Sequence, residues 1–245
     1  MTRRIDHLVL AVHDLDAAAD FYRGLGFTVG ARNRHAWGTE NALVQFQSSF
    51  LELITVGKNA DIPPHAPNHF SFGAYVRDYL ARREGLAMVV LDSDDAEADS
   101  KAFAKAGIAD FAPFFFERKG QRPDGSATHV AFTLAFAIDQ GLHAAFFVCQ
   151  QHFPEAFWNR DLQQHQNGAT NVTEVTLEAA APASHTGFLR AFSGVNGDTS
   201  FDLSKGGVIK VNQGVGNRPV SFSVAADQSL AGTVVEAFGV EMRFV

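Results

Sequence analysis

A single cysteine, Cys149, among 245 residues leaves no internal disulfide and no thiolate cluster for zinc, so the fold needs no oxidising compartment. No run of about 18 apolar residues occurs, and none is expected to span a membrane. The first apolar stretch, Leu8 to Val12, is too short for a signal segment and stops at His13 and Asp14. A cytoplasmic protein is therefore expected. Basic charge is also scarce: 20 Lys and Arg stand against 27 Asp and Glu, a net charge of −7, which argues against nucleic acid as the main partner. Charge runs and low-complexity segments are missing too. Tyrosine and tryptophan number only 3 and 2 beside 23 phenylalanines, so most rings carry no polar handle and suit deep apolar surroundings. At 46% hydrophobic and 19% charged the chain is not disordered, and its length fits one large or two small domains.

Residues 5–56 read clearly. Ile5 to Val12 alternates as a strand with His7, Val9 and Ala11 on one face and Leu8, Leu10 and Val12 on the other. Asp14 or Asp16 caps a helix whose buried stripe is Leu15, Ala18, Ala19, Tyr22 and Leu25, and which ends at Gly24 and Gly26. Strands are expected at Phe27 to Ala31, Ala42 to Gln47 and Phe50 to Thr55, completing a βαβββ module. The pattern recurs. A second copy spans 86–150, with strands expected at Phe111 to Arg118, Thr128 to Ala137 and His143 to Gln150. A third, abbreviated copy starts at Val172 and a fourth at Val220. Residues 57–85 are an insertion with a short helix near Tyr75 to Arg83, and His152 to Ala169 connects two halves. The expected division is a first domain at 1–155 and a second, abbreviated pair of modules at 170–245.

The run Ile5-Asp6-His7-Leu8-Val9-Leu10-Ala11-Val12, the helix end Phe21-Tyr22-Arg23-Gly24-Leu25-Gly26-Phe27 and the strand Phe50-Leu51-Glu52-Leu53-Ile54 together resemble the vicinal oxygen chelate superfamily and its glyoxalase-like members. Gly38-Thr39-Glu40-Asn41 and Gln164-His165-Gln166-Asn167-Gly168-Ala169 look like the same glyoxalase-like subgroup. The resemblance implies an α+β fold in which βαβββ modules pair into cupped, barrel-like mixed sheets with helices on the outer face. It further implies a divalent metal held by a His or Glu from a module's first strand and a Glu from its fourth. His7 and Glu52 occupy those positions, and Glu52 would also act as the catalytic base. An imidazole with a carboxylate suits Zn, Fe, Mn, Ni or Co without distinguishing them.

The second copy departs from that pattern. Its residue in register with His7 is Met88, and those near the Glu52 register are Phe146 and Phe147, none a hard-metal ligand. If the third copy instead completes the cup, Glu174 becomes a third metal ligand. Substrate-contacting residues are expected at His35, Asn41, Arg118, Phe115, Phe147, Gln150 and His152. The first choice of function is a metal-dependent glyoxalase-like lyase or isomerase acting on a small substrate with vicinal oxygens. The alternative is a metal-free small-molecule binding protein with an aromatic cleft and no cofactor. An extradiol-type dioxygenase ranks lower, since a second ligating His is missing at Met88. Neither nucleic acid nor membrane is expected as a partner, and a homodimer is an expectation of the superfamily.

Overall fold

A computed structural model describes residues 3–109, 111–121 and 127–245. In chain order β1 (Ile5–Ala11), α1 (Leu15–Gly24), β2 (Asn33–Arg34), β3 (Thr39–Gln45) and β4 (Phe50–Val56) form one βαβββ unit. Helix α2 (Phe72–Leu80) follows. A second unit comprises β5 (Gly85–Asp92), α3 (Ala96–Lys105), β6 (Phe114–Gln121), β7 (Ala127–Ala137) and β8 (Ala145–Gln151). After α4 (Pro154–Phe157) come β9 (Asn171–Ala179), α5 (Thr186–Ser193), β10 (Ser200–Asp202), β11 (Val208–Gln213), β12 (Arg218–Ala225), β13 (Val234–Glu236) and β14 (Glu241–Phe244). The architecture is α+β, as the module repeat predicts. Among the described residues no helix is long and apolar enough to cross a membrane.

The first two units share an eight-stranded sheet in the order β2-β3-β4-β1-β5-β8-β7-β6, and the remaining strands form a six-stranded sheet in the order β10-β11-β9-β12-β14-β13. Strand β1 runs parallel to β4, β5 runs parallel to β8, and β1 meets β5 antiparallel. The first and second units thus face each other across β1 and β5 and curl into one cup.

Local chemistry explains the elements. The Asp14 carboxylate accepts from the Asp16 and Ala17 amides, both at 3.0 Å, and caps α1; Gly26, at φ 86°, takes the left-handed turn that ends it. The strand expected at Phe27 to Ala31 does not form, and β2 lies further on. Thr28 donates its amide to His165 Nδ1 at 2.9 Å and its hydroxyl to the Gln164 carbonyl, so the connecting segment holds groups that a ladder would have used. The Phe27 ring meanwhile packs against Tyr22, Phe46 and Phe244.

Alternation sorts the side chains into two cores. Leu8, Leu10 and Val12 pack with Tyr22, Phe103, Phe188 and Phe192 of the helices and with Val175, Leu177 and Phe222 of the second sheet. The opposite, concave face carries Val9, Ala11, Met88, Val90, Phe136 and Phe147, against which α2 lays Phe72, Val76, Tyr79 and Leu80. The insertion therefore closes the cup where Val9 and Ala11 lie and leaves the His7 end open.

Candidate functional site

The open end of the cup is a cavity of about 360 Å³ with His7, Asn41, Glu52, Met88, Phe147 and Arg118 in its lining. Apolar walls with a few convergent polar groups are what a small-molecule site requires. His7 points into it from β1, the face opposite Leu8 and Leu10. Glu52 points in from β4 while its neighbours Leu51 and Leu53 join the core behind. The His7 ring stacks on Phe50 at 4.2 Å and 13°, and only 5% of the residue is exposed.

His7 is fixed by a residue that alternation would place on the other face. Strand β1 shifts register between Ile5 and His7 where it meets β5, and the fully buried Asp6 carboxylate lies 2.8 Å from His7 Nδ1. The other oxygen of Asp6 accepts from Gln151 Nε2 at 3.0 Å. In the neutral imidazole Nδ1–H donates to Asp6, so Nε2 is an acceptor facing the cavity. Opposite it, Glu52 Oε2 stands 4.0 Å from Nε2, while Glu52 Oε1 accepts from Asn41 Nδ2 at 2.6 Å. The floor therefore presents two acceptors with room for one donor between them.

His35 stacks on Trp37 at 4.6 Å and shares a 2.8 Å hydrogen bond with Thr39 Oγ1. Burial lowers the His35 pKa, the Arg118 charge adds to the effect, and Glu52 partly opposes it. Cys149 also lines the cavity; burial, with help from the Asp6 and Glu52 charges, pushes its thiol well up, which leaves no thiolate for nucleophilic work.

Among the residues expected at a site, His7, Glu52, His35, Asn41, Arg118 and Phe147 come together here. Four others lie elsewhere. Glu174 is on β9 of the six-stranded sheet, paired with Lys210 Nζ at 2.5 Å, because the second unit and not the third completes the cup. Phe115 is 57% exposed and rests against His152, on the opposite side of β6 from Phe116. Gln150 caps α3, donating to the Asp94 carbonyl at 3.0 Å and accepting from the Ala96 amide at 3.2 Å. His152 Nε2 is spent on Thr133 Oγ1 at 2.8 Å. On β6 and β8, strand alternation turns Phe115 and Gln150 away from the cavity.

Sequence reading missed Asp6, Asn33 and Trp37, and it missed Phe157 of the connecting segment, whose ring leans on Phe50 and Phe132. The adjacency of Asp6 to His7 was the available signal.

A divalent metal needs more donors than the cup offers. His7 pairs with Phe50 and Val9 with Glu52, while Met88 pairs with Ala145 and Val90 with Phe147. Placing His7 on Met88 therefore places Glu52 on Phe147, and both second-unit residues are buried and apolar. Among the described residues no third His, Cys, Asp or Glu joins the pair. Catalytic zinc usually takes three protein ligands. Although the Asp6 carboxylate behind His7 is the support a ligating imidazole receives, the donor set does not fit a resident ion.

The profile of a family described as a glyoxalase-like domain matches residues 5–192. A comparison with curated protein sequences yields no match. Among solved structures, a hypothetical protein from Staphylococcus aureus superposes with a TM-score of 0.78 at 16% identity, covering 99% of each chain. A triple mutant of 4-hydroxymandelate synthase from Streptomyces coelicolor does so with a TM-score of 0.58 at 14% identity, covering 94% of this chain and 72% of that one. At such identities the likeness is one of fold.

Proposed function

Since the chain belongs to the glyoxalase-like domain family of the vicinal oxygen chelate superfamily, we propose that its cup is the active site of an isomerase- or epimerase-type enzyme that moves a proton on a small oxygenated substrate. The observation that carries this is the buried line Asp6–His7–Glu52–Asn41 in an otherwise aromatic cavity. Burying polar groups and charges costs several kcal/mol unless each is paired, and a cleft that only sequesters apolar molecules has no use for two facing acceptors.

Glu52 is the base. Its Oε1 is held by Asn41 and its Oε2 is free to take a proton from a carbon or hydroxyl placed between it and His7. His7, oriented through Nδ1 by Asp6, accepts the substrate's hydroxyl proton at Nε2 and gives it back to an oxygen of the resulting ene-diol, while Glu52 returns its own proton to carbon. Trp37, Phe50, Phe147 and Phe157 keep water from the reacting atoms.

The experiment is solvent exchange. The protein is incubated in D₂O with a panel of 2-hydroxy and 2-oxo carbonyl compounds, and loss of the adjacent C–H signal is followed by NMR. The wild type is expected to exchange at least one member, and Glu52→Gln to slow that by roughly 10²–10⁴-fold, the range of general acid–base catalysis. Exchange at the buffer rate throughout, or equal rates for the two proteins, overturns the reading. The aromatic walls favour a second reading, a binding protein; it predicts ligand affinity with no exchange.

A further inference from the structure

A line of hydrogen bonds climbs one wall of the cup. Arg118 Nη1 donates to Asn33 Oδ1 at 2.9 Å, Asn33 Nδ2 to Asn41 Oδ1 at 3.1 Å, and Asn41 Nδ2 to Glu52 Oε1 at 2.6 Å. Each amide is engaged at both ends, so neither turns over without losing two bonds. The line has a guanidinium at the rim, a carboxylate at the floor and only dipoles between. Phe116, Phe132 and Phe147 line the same cavity.

The two ends ask for different things. Arg34 at the rim is paired with Glu40 at 3.1 Å, whereas Arg118 is held by a neutral amide and has no carboxylate within ion-pair distance among the described residues. An arginine fixed in this way is a ready partner for a planar anion. At the floor, His7 Nε2 and Glu52 Oε2 face each other at 4.0 Å, and with Nδ1–H committed to Asp6 both are acceptors. They ask for a hydroxyl or enol donor.

We propose that the ligand of this cup is a compact organic carboxylate with an apolar, ring-sized body, its carboxylate on Arg118 and its hydroxyl between His7 and Glu52. This rests on the cup being the substrate site. Hydrogen bonds of 2.9, 3.1 and 2.6 Å and two amide spans of about 2.3 Å each put Arg118 Nη1 up to about 13 Å from Glu52 Oε1. A hydrogen bond of about 3 Å at either end leaves up to about 7 Å between the ligand's polar atoms. A ring carrying the two groups at opposite ends has that separation. Its faces meet Phe116, Phe132 and Phe147, where offset and edge contacts favour an aromatic body.

The test is calorimetric affinity for 4-(hydroxymethyl)benzoate, for the neutral 4-(hydroxymethyl)benzamide and for 4-methylbenzoate, which lacks the hydroxyl. Wild-type protein is expected to bind the first at least about tenfold more tightly than either of the others, a charge-assisted contact being lost in one case and a floor donor in the other. Arg118→Gln is expected to abolish the preference for acid over amide, the acid losing at least about tenfold more affinity than the amide. Glu52→Gln is expected to abolish the preference for the hydroxyl. Equal affinity for acid and amide, an acid preference that survives Arg118→Gln, or no measurable binding of the acid overturns the proposal. Failure here is distinct from failure of the catalytic reading. Glu52-dependent solvent exchange with no acid preference removes the anion alone, and an acid preference without exchange removes catalysis alone.

Discussion

Replacing Asp6 by Asn changes one oxygen for an amide nitrogen in a fully buried group, and its consequences can be worked out atom by atom. The carboxylate accepts from His7 Nδ1 at 2.8 Å and from Gln151 Nε2 at 3.0 Å, with the Arg4 guanidinium at 3.7 Å. Two hydrogen bonds to a charged group contribute about 1.5–3 kcal/mol each. Asparagine keeps one of them as a neutral bond and turns a donor toward the other partner. The net loss is roughly 2–4 kcal/mol, which for a chain of this size lowers Tm by about 5–15 °C. If the asparagine keeps Gln151, its amide faces His7 Nδ1, and the imidazole adopts the other tautomer with the proton on Nε2, toward Glu52. Long-range ¹H–¹⁵N correlation spectra of the histidine rings read this directly: Nδ1 is protonated in the wild type and Nε2 in Asp6→Asn. Chemical denaturation gives the stability. A loss under about 1 kcal/mol together with an unchanged His7 tautomer would refute the role assigned to Asp6.

Other consequences are as direct. His165 accepts from the Thr28 amide at Nδ1 and meets the Gln45 carbonyl at Nε2, both at 2.9 Å; burial lowers its pKa, with the Gln45 bond in partial opposition. His35 is shifted the same way, so between the unfolded value of about 6.5 and the lower folded values the unfolded chain binds protons that the native one does not. Stability is therefore full above about pH 7 and falls as pH drops below 6.5, by at most about 1.4 kcal/mol per pH unit for each histidine; urea midpoints at pH 7.5 and 5.5 check it, and His165→Gln flattens the slope. Protein purified without chelator is expected to carry well under one equivalent of divalent metal by elemental analysis, and near-stoichiometric metal lost on His7→Ala would overturn the donor count. Conversely, Met88→His with Phe147→Glu supplies the two missing donors, and the double variant is expected to bind Co(II) with visible d–d absorption while the wild type does not. A Cβ on Gly73 of α2 would lie 2.1 Å from the Trp37 carbonyl, so Gly73→Ala is expected to push α2 off the cup wall at a cost of about 1–3 kcal/mol, read by denaturation and by a change in tryptophan fluorescence.

Much of this was legible in the sequence where one local rule decided the outcome. Alternation in Ile5 to Val12 placed His7 opposite Leu8 and Leu10, the same rule placed Glu52 opposite Leu51 and Leu53, and Asp14 capped its helix. Reading failed where a distant segment intervened. Thr28 is claimed by His165 and Gln164, so the second strand slid from Phe27–Ala31 to β2. Asp6 adjoins His7 in sequence, but a strict strand period sends it to the other face, and only the register shift against β5 brings the two together. Glu174 shares the His7 register of its own module, yet which module completes the cup is a matter of sheet order, which no single strand encodes. Asn33 sits in a two-residue strand, too short to leave a periodic signal.

The phenylalanine surplus takes its meaning from the same geometry. Two units that meet antiparallel across β1 and β5 would, with equal residues at equal positions, focus four donors near their local axis, where an ion could bind. Here the first unit retains His7 and Glu52 and the second carries Met88 and Phe147. The imidazole and carboxylate of the first unit are thereby met by Met88 and Phe147 of the second, in a cavity lined by rings from both units. For the ligand proposed above, donor and charge align with the Arg118-to-Glu52 line and the ring contacts Phe116, Phe132 and Phe147. On the proposed function, the apolar replacements in the second unit do more than remove ligands, since they favour the orientation in which a substrate presents its labile hydrogen to Glu52.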